Sequence, residues 1–149
     1  MSAAGPEHGD ALALAERFFA AIERCDIALL RHMYSDDAVI WHNYDPVDTR
    51  LQRPAGQTVA DNLALLSALP RLILDMKYEV WHQERTETGF MRQHLVTGRT
   101  ADGAAVRLPV CVVGRVVDNR IDGFYEYLDA GQLPAAILNY FAEAAGAAQ

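Results

Sequence analysis

The sequence predicts an α+β domain, with helices packed on one face of a curved antiparallel sheet and a cavity enclosed between the two layers. Three observations predict it. Apolar residues recur at helical spacing in the first third of the chain. From Met76 to Leu128, four successive segments alternate at period two. Short turn signals separate those segments, as a meander of hairpins requires.

Taken in order, residues 1–9 read as a loose tail. Asp10 can cap a helix from Ala11, because its carboxylate can accept from the free N–H groups of the first turn. Leu14, Phe18 and Ile22, with Ala15 and Phe19, then share one face. A short helix from Ile27 to Tyr34 follows Asp26, and Ser35-Asp36-Asp37 is expected to break it. Ala38 to Asn43 reads as a first strand, carried by Val39, Ile40 and Trp41. Tyr44 to Gly56, with two prolines and no periodicity, reads as a surface loop long enough for a lid. Thr58 and Asp61 form a capping pair for a helix to about Leu69, with Pro70 marking its end.

The four later strands are expected over 76–84, 89–100, 105–117 and 120–128. Glu87-Thr88-Gly89, Ala101-Asp102-Gly103 and Asp118-Asn119 form their turns. Asp129 can cap a closing helix from Ala130 to about Ala142, with Gln132 in the capping-box position and a frayed Ala/Gly-rich end at 143–149. With neither repeats nor a linker, residues 1–149 read as one domain.

Composition narrows the function. A formal net charge of −7 and the lack of any Lys/Arg cluster argue against nucleic acid or an anionic membrane as partner. Cys25 and Cys111 are far apart without CxxC spacing, which suits free thiols in a reducing compartment. Met1 to Asp10 lacks the pattern of a signal peptide and no apolar stretch is long enough to span a bilayer, so a cytoplasmic location is expected. Phosphate loops, GxSxG and metal-ligand spacings are absent, so neither cofactor nor metal is expected.

Two stretches carry a family resemblance. Ala15-Glu-Arg-Phe-Phe-Ala-Ala-Ile through Tyr34-Ser-Asp-Asp-Ala-Val-Ile-Trp-His-Asn resembles the opening helix pair and first strand of ketosteroid isomerases, limonene epoxide hydrolases and SnoaL-type polyketide cyclases. Arg120-Ile-Asp-Gly-Phe-Tyr-Glu-Tyr-Leu-Asp resembles their last strand. The resemblance implies the nuclear transport factor 2-like, cystatin-like fold, a cone-shaped apolar pocket and a homodimer. Against the isomerases, Phe18 stands in the place of the tyrosine that donates to the substrate oxyanion, and His42 in the place of the aspartate base. Against the epoxide hydrolases, Arg92 matches the arginine of the Asp-Arg-Asp trio and Asn43 the asparagine. His94 and Glu126 take the two aspartate positions there, and Trp41 that of the tyrosine. The chain is thus a variant of both patterns.

Read physically, alternation puts Arg92, His94 and Val96 on one strand face and Phe124, Glu126 and Leu128 on another. If both faces line the cavity, Arg92 would hold Glu126 ionised, His94 would exchange a proton near neutral pH, and Glu126 would act as base. Only one of His42 and Asn43 can face the cavity on a regular strand, and the sequence leaves open which. Tyr44 could reach over a ligand, and His82, in step with Met76 and Tyr78, could join a histidine cluster. Trp81 falls on the opposite face. These expectations describe an enzyme using acid–base chemistry on a small hydrophobic, polyketide-, steroid- or terpene-like molecule, of hydrolase, isomerase, dehydratase or cyclase type. The alternatives are a non-catalytic binding protein for such a ligand, and an association module built on the outer sheet face.

Overall fold

The computed structural model describes residues 10–45, 47–48, 53–54 and 56–147. The expected tail at 1–9 and much of the expected lid lie outside these residues. Four helices, α1 (Ala11–Glu23), α2 (Ile27–Met33), α3 (Val59–Leu72) and α4 (Ala135–Ala147), accompany a five-stranded sheet. Its strands are β1 (Tyr34–His42), β4 (Leu74–Arg85), β5 (Gly89–Arg99), β6 (Ala105–Val117) and β7 (Arg120–Leu128). The order across the sheet is β1-β7-β6-β5-β4. A two-stranded ladder, β2 (Val47–Asp48) with β3 (Arg53–Pro54), lies within the segment expected to be a structureless loop.

Local chemistry explains most boundaries. Asp10 accepts from the N–H groups of Leu12 and Ala13 and opens α1, Asp26 accepts from Leu29 N–H and opens α2, and Thr58 accepts from Asp61 N–H and opens α3. The β6–β7 connection is two residues, Asp118 and Asn119. Their φ values of 50° and 57° make the left-handed turn that matches strand twist. Four strands form the expected antiparallel meander. The first strand joins it parallel to β7, so the sheet is mixed rather than wholly antiparallel. A parallel neighbour needs a long crossover, and here α3 with three strands supplies it.

Three boundaries depart from expectation. The strand β1 begins at Tyr34, not Ala38, because a register shift between Tyr34 and Val39 carries the polar Ser35-Asp36-Asp37 along the sheet edge. Pro70 does not end α3, which runs two residues further. The Leu66 carbonyl, deprived of its usual i+4 donor by the proline, accepts instead from the Cys25 thiol at 3.8 Å. Asp129 caps only a single 3-10 turn, Ala130–Gln132; the main helix starts after Pro134 and continues to Ala147, an alanine-rich stretch of high helix propensity.

The core lies between α1–α3 and the inner sheet face. Leu14, Phe18, Phe19 and Ile22 of α1 are buried against Phe90, Val112, Ile121 and Phe124. Each such side chain contributes about 1.5–3 kcal/mol of hydrophobic stabilisation. Phe18 touches Phe19, Tyr34 and Phe124 at centroid distances of 5.5, 5.2 and 5.6 Å. Gly114, cross-strand from Phe90, leaves room for that ring, since a Cβ there would lie 2.3 Å from it. On the outer face Trp81, Val113 and Tyr127 stand exposed. Among the described residues no helix is long and apolar enough to cross a membrane.

Candidate active site

Strand register decides which side chains can meet. One cross-strand row on the inner face runs His42, Glu126, Val112, Arg92, Gln83, from β1 to β4. The adjacent row runs Leu128, Val110, His94, Val80. Glu126 is therefore directly beside His42, whereas β6 stands between it and Arg92. At about 4.8 Å per strand, Glu126 and Arg92 are set about 10 Å apart along the row.

A cavity of ≈ 90 Å³ opens beside the His42–Glu126 end. Its walls are mostly hydrocarbon: Leu65, Leu66 and Leu69 of α3, Val96 and Val110 of the sheet, and Leu133 and Ile137 from the C-terminal segment. The polar residues facing it are His42, Glu126, Asn62 and three tyrosines, Tyr34, Tyr44 and Tyr78. Few polar groups converging in an apolar hollow is the usual composition of a small-molecule site.

His42 is the hub of the polar set. It is 4% exposed, and its Nδ1 lies 3.0 Å from Asp45 Oδ2 while its Nε2 lies 3.7 Å from Glu126 Oε1. The same Asp45 oxygen accepts the His42 backbone N–H at 2.8 Å, and Gln57 Nε2 donates to the other oxygen at 3.0 Å. Burial raises the Asp45 carboxyl, but hydrogen bonds from the His42 side chain and backbone outweigh it and hold the group below the ordinary range. An ionised Asp45 can only accept, so Nδ1 carries a proton and Nε2 is the nitrogen that exchanges one.

Burial opposes charge on His42, yet the Asp45 hydrogen bond and the nearby charge of Glu126 prevail, and its pKa lies above the ordinary histidine value. Burial raises Glu126, and the attraction of His42 offsets this only in part. With Glu126 ionised and His42 protonated, an imidazolium faces a carboxylate across the edge of an apolar cavity. Such a pair can take a proton at one oxygen and return it from one nitrogen. Tyr44 stacks on His42 with centroids 5.0 Å apart and planes 16° from parallel, which fixes the ring's tilt.

His42, Tyr44, Phe124 and Glu126 line the cavity. Asn43 does not: its amide donates to the Leu128 carbonyl at 2.8 Å and accepts the Leu128 N–H at 3.2 Å, extending the β1–β7 ladder. Phe18 lies in the core beneath and is absent from the lining. His82 is 53% exposed and pairs with Glu84 at 3.2 Å; a register shift between Val80 and His82 breaks the alternation that would have turned it inward.

Arg92 and His94 are buried on the inner face as alternation predicts, but they contact one another rather than Glu126. Arg92 Nε donates to His94 Nδ1 at 3.1 Å, and Nη1 donates to Gln83 at 3.2 Å. The guanidinium carbon sits 4.0 Å from the centroid of the Phe19 ring. Among the described residues neither side chain bonds to Glu126, and neither lines the cavity. Burial, then the Arg92 charge, lowers His94 to about 3, so it stays neutral at physiological pH and cannot make the exchange near neutrality expected of it.

Asp45, Gln57, Asn62 and Tyr78 are not among the residues that the sequence singles out. Asp45 had one detectable signal, its position three residues beyond a strand histidine at a turn, since an Asp there can reach back to the chain. Asn62, in contrast, reads as an ordinary polar residue of a helix. Among the described residues no group of three or more His, Cys, Asp or Glu is arranged to hold a metal ion.

The profile of the SnoaL-like domain matches residues 15–123. The chain belongs to the SnoaL-like family. A search of curated protein sequences finds no match. Among solved structures this SnoaL-like chain resembles an LEH-like epoxide hydrolase of M. tuberculosis at 18% identity and TM-score 0.67, covering 90% of this chain and 93% of that one. It resembles IdmH of Streptomyces antibioticus, described as a proposed polyketide cyclase, at 16% identity and TM-score 0.69, covering 87% and 99%. A cystatin-fold protein of Novosphingobium aromaticivorans matches at 16% identity and TM-score 0.64, covering 79% and 97%. At such identities the likeness shows a nuclear transport factor 2-like fold and not a reaction.

Proposed function

We propose that this SnoaL-like protein is an enzyme that moves a proton on a small, largely apolar molecule, with Glu126 and His42 as its working groups. The observation that carries this is the pairing of Glu126 with an Asp45-backed His42 at the wall of a hydrocarbon-lined cavity. Glu126 as carboxylate takes a proton from carbon or from a water. His42, charged at Nε2, gives one to the oxygen on which negative charge develops. Asp45 holds the imidazole in the tautomer and orientation that this requires. The SnoaL-like family and the hydrolase and cyclase neighbours support chemistry of this kind, and the apolar walls favour an uncharged ligand. Arg92 and His94 form a separate buried pair in this scheme and exchange no proton.

The test uses two simple probes, cyclohexanone in heavy water and cyclohexene oxide in ¹⁸O-water, followed by mass spectrometry. The expected outcome is deuterium at the ketone α-carbon or a labelled diol, with the rate falling at least about 100-fold in Glu126→Gln. A Glu126→Gln protein that turned over either probe at the full rate would sink the assignment.

A further inference from the structure

Asn62 lies in the first turns of α3 and is 2% exposed. An uncharged amide in so apolar a setting is costly unless its donors and acceptors are used. Its carbonyl oxygen is used: the Tyr34 hydroxyl donates to Oδ1 at 2.8 Å. Tyr34 is itself 1% exposed, and burial, reinforced by the charge of Glu126, keeps its proton in place throughout the working pH range. With the Tyr34 hydroxyl donating to Oδ1, the NH₂ group on the same amide points the other way.

That NH₂ group has no hydrogen-bond partner among the described residues. Among the described residues, the polar side-chain atoms shut off from solvent without a partner are Trp41 Nε1 and His94 Nε2, and Asn62 Nδ2 is not one of them. Asn62 lines the same cavity as Glu126 and His42. Its two N–H bonds therefore open onto the hollow from the helix layer, while the acid–base pair faces it from the sheet.

Building on the acid–base reading above, we propose that Asn62 is a substrate-binding and specificity-determining residue whose amide N–H donates to an acceptor oxygen of the ligand. Tyr34 is the positioning residue that holds the amide in the donating orientation. The ligand class is then a compact hydrocarbon frame bearing a carbonyl or comparable acceptor oxygen, held with that oxygen at α3 and its reacting atom at Glu126. Apolar walls bind a pure hydrocarbon equally well, so the amide is what tells the two apart.

The test compares cyclohexanone with methylenecyclohexane, the same shape without the oxygen, by NMR titration. The infrared carbonyl stretch of bound cyclohexanone is read alongside. The wild-type protein is expected to favour the ketone by about tenfold, as one neutral hydrogen bond supplies, and to lower its stretching frequency. Asn62→Leu should bind both probes alike with the stretch restored to that of the ketone in hydrocarbon. Asn62→Asp, which keeps the Tyr34 partner and so guards against loss of folding, should disfavour the ketone. Tyr34→Phe should weaken the preference only in part. Retention of the preference and of the lowered stretch in both Asn62 variants overturns the proposal. In that event Glu126-dependent deuterium exchange into cyclohexanone would leave the acid–base assignment standing, whereas failure of the wild-type protein to bind either probe overturns both.

Discussion

At the scale of single residues, the site is a problem of two coupled protons. Glu126 must be ionised to accept a proton, and burial places that transition above the ordinary carboxylate range. His42 must still be charged to donate one, and Asp45 and Glu126 place its deprotonation above the ordinary histidine value. Turnover should therefore follow a bell whose two limbs belong to the pair rather than to either residue alone. Asp45→Asn replaces an ionised acceptor with a neutral amide, so imidazolium is less favoured and the alkaline limb should move towards acid. A pH–rate profile of Asp45→Asn superimposing on that of the wild type would show that Asp45 does not tune His42. Residue type also explains what was legible in the sequence: Glu126 stood out as a carboxylate amid apolar strand residues, while Asn62 has no chemical signature apart from the cavity it faces.

At the scale of elements, period and punctuation placed the four strands of the meander to within about two residues, but not the start of β1. The strand bounds at 105–117 and 120–128 coincide with expectation because two left-handed turn residues and strict alternation leave little freedom. Where a rule failed, a neighbouring element had supplied what local chemistry lacked. Pro70 sits within α3 because Cys25 from the α1–α2 connection caps the carbonyl it frees. His82 faces outward because a bulge beside β5 reverses the phase of β4. Packing between strands sets limits of the same kind at Gly114. Gly114→Ala would drive a methyl group into the Phe90 ring, and overpacking of this sort should cost about 1–3 kcal/mol. Urea unfolding reads that loss as a lower midpoint at unchanged m-value, and an unchanged midpoint would mean that the sheet yields at no cost.

At the scale of the whole molecule, His94 links the fold to pH. Its ring is fully buried and stays neutral down to about pH 3, whereas in the unfolded chain it takes up a proton near 6.5. Between those values the unfolded state binds the extra proton, so the stability this neutral ring contributes is present above pH 6.5 and is lost on acidification towards 3. Chemical denaturation across that range should show a decline on the order of a few kcal/mol, and His94→Asn should flatten it; an equal decline in the variant would place its origin elsewhere. The amino-acid sequence by itself determined the helix faces, the meander and the strand faces that carry Arg92, His94 and Glu126, since each follows from period, capping and turn chemistry along the chain; the SnoaL-like architecture was legible only as a family resemblance in the opening helix, first strand and last strand. Only the tertiary structure decided which inward groups meet. With β6 between them, Arg92 and His94 cannot reach Glu126, while the parallel pairing of β1 with β7 brings His42 to it, and α3 folding over the sheet adds Asn62. Lateral neighbours in a sheet, and the helix laid across it, are set by pairing between distant segments, and no local spacing records that choice.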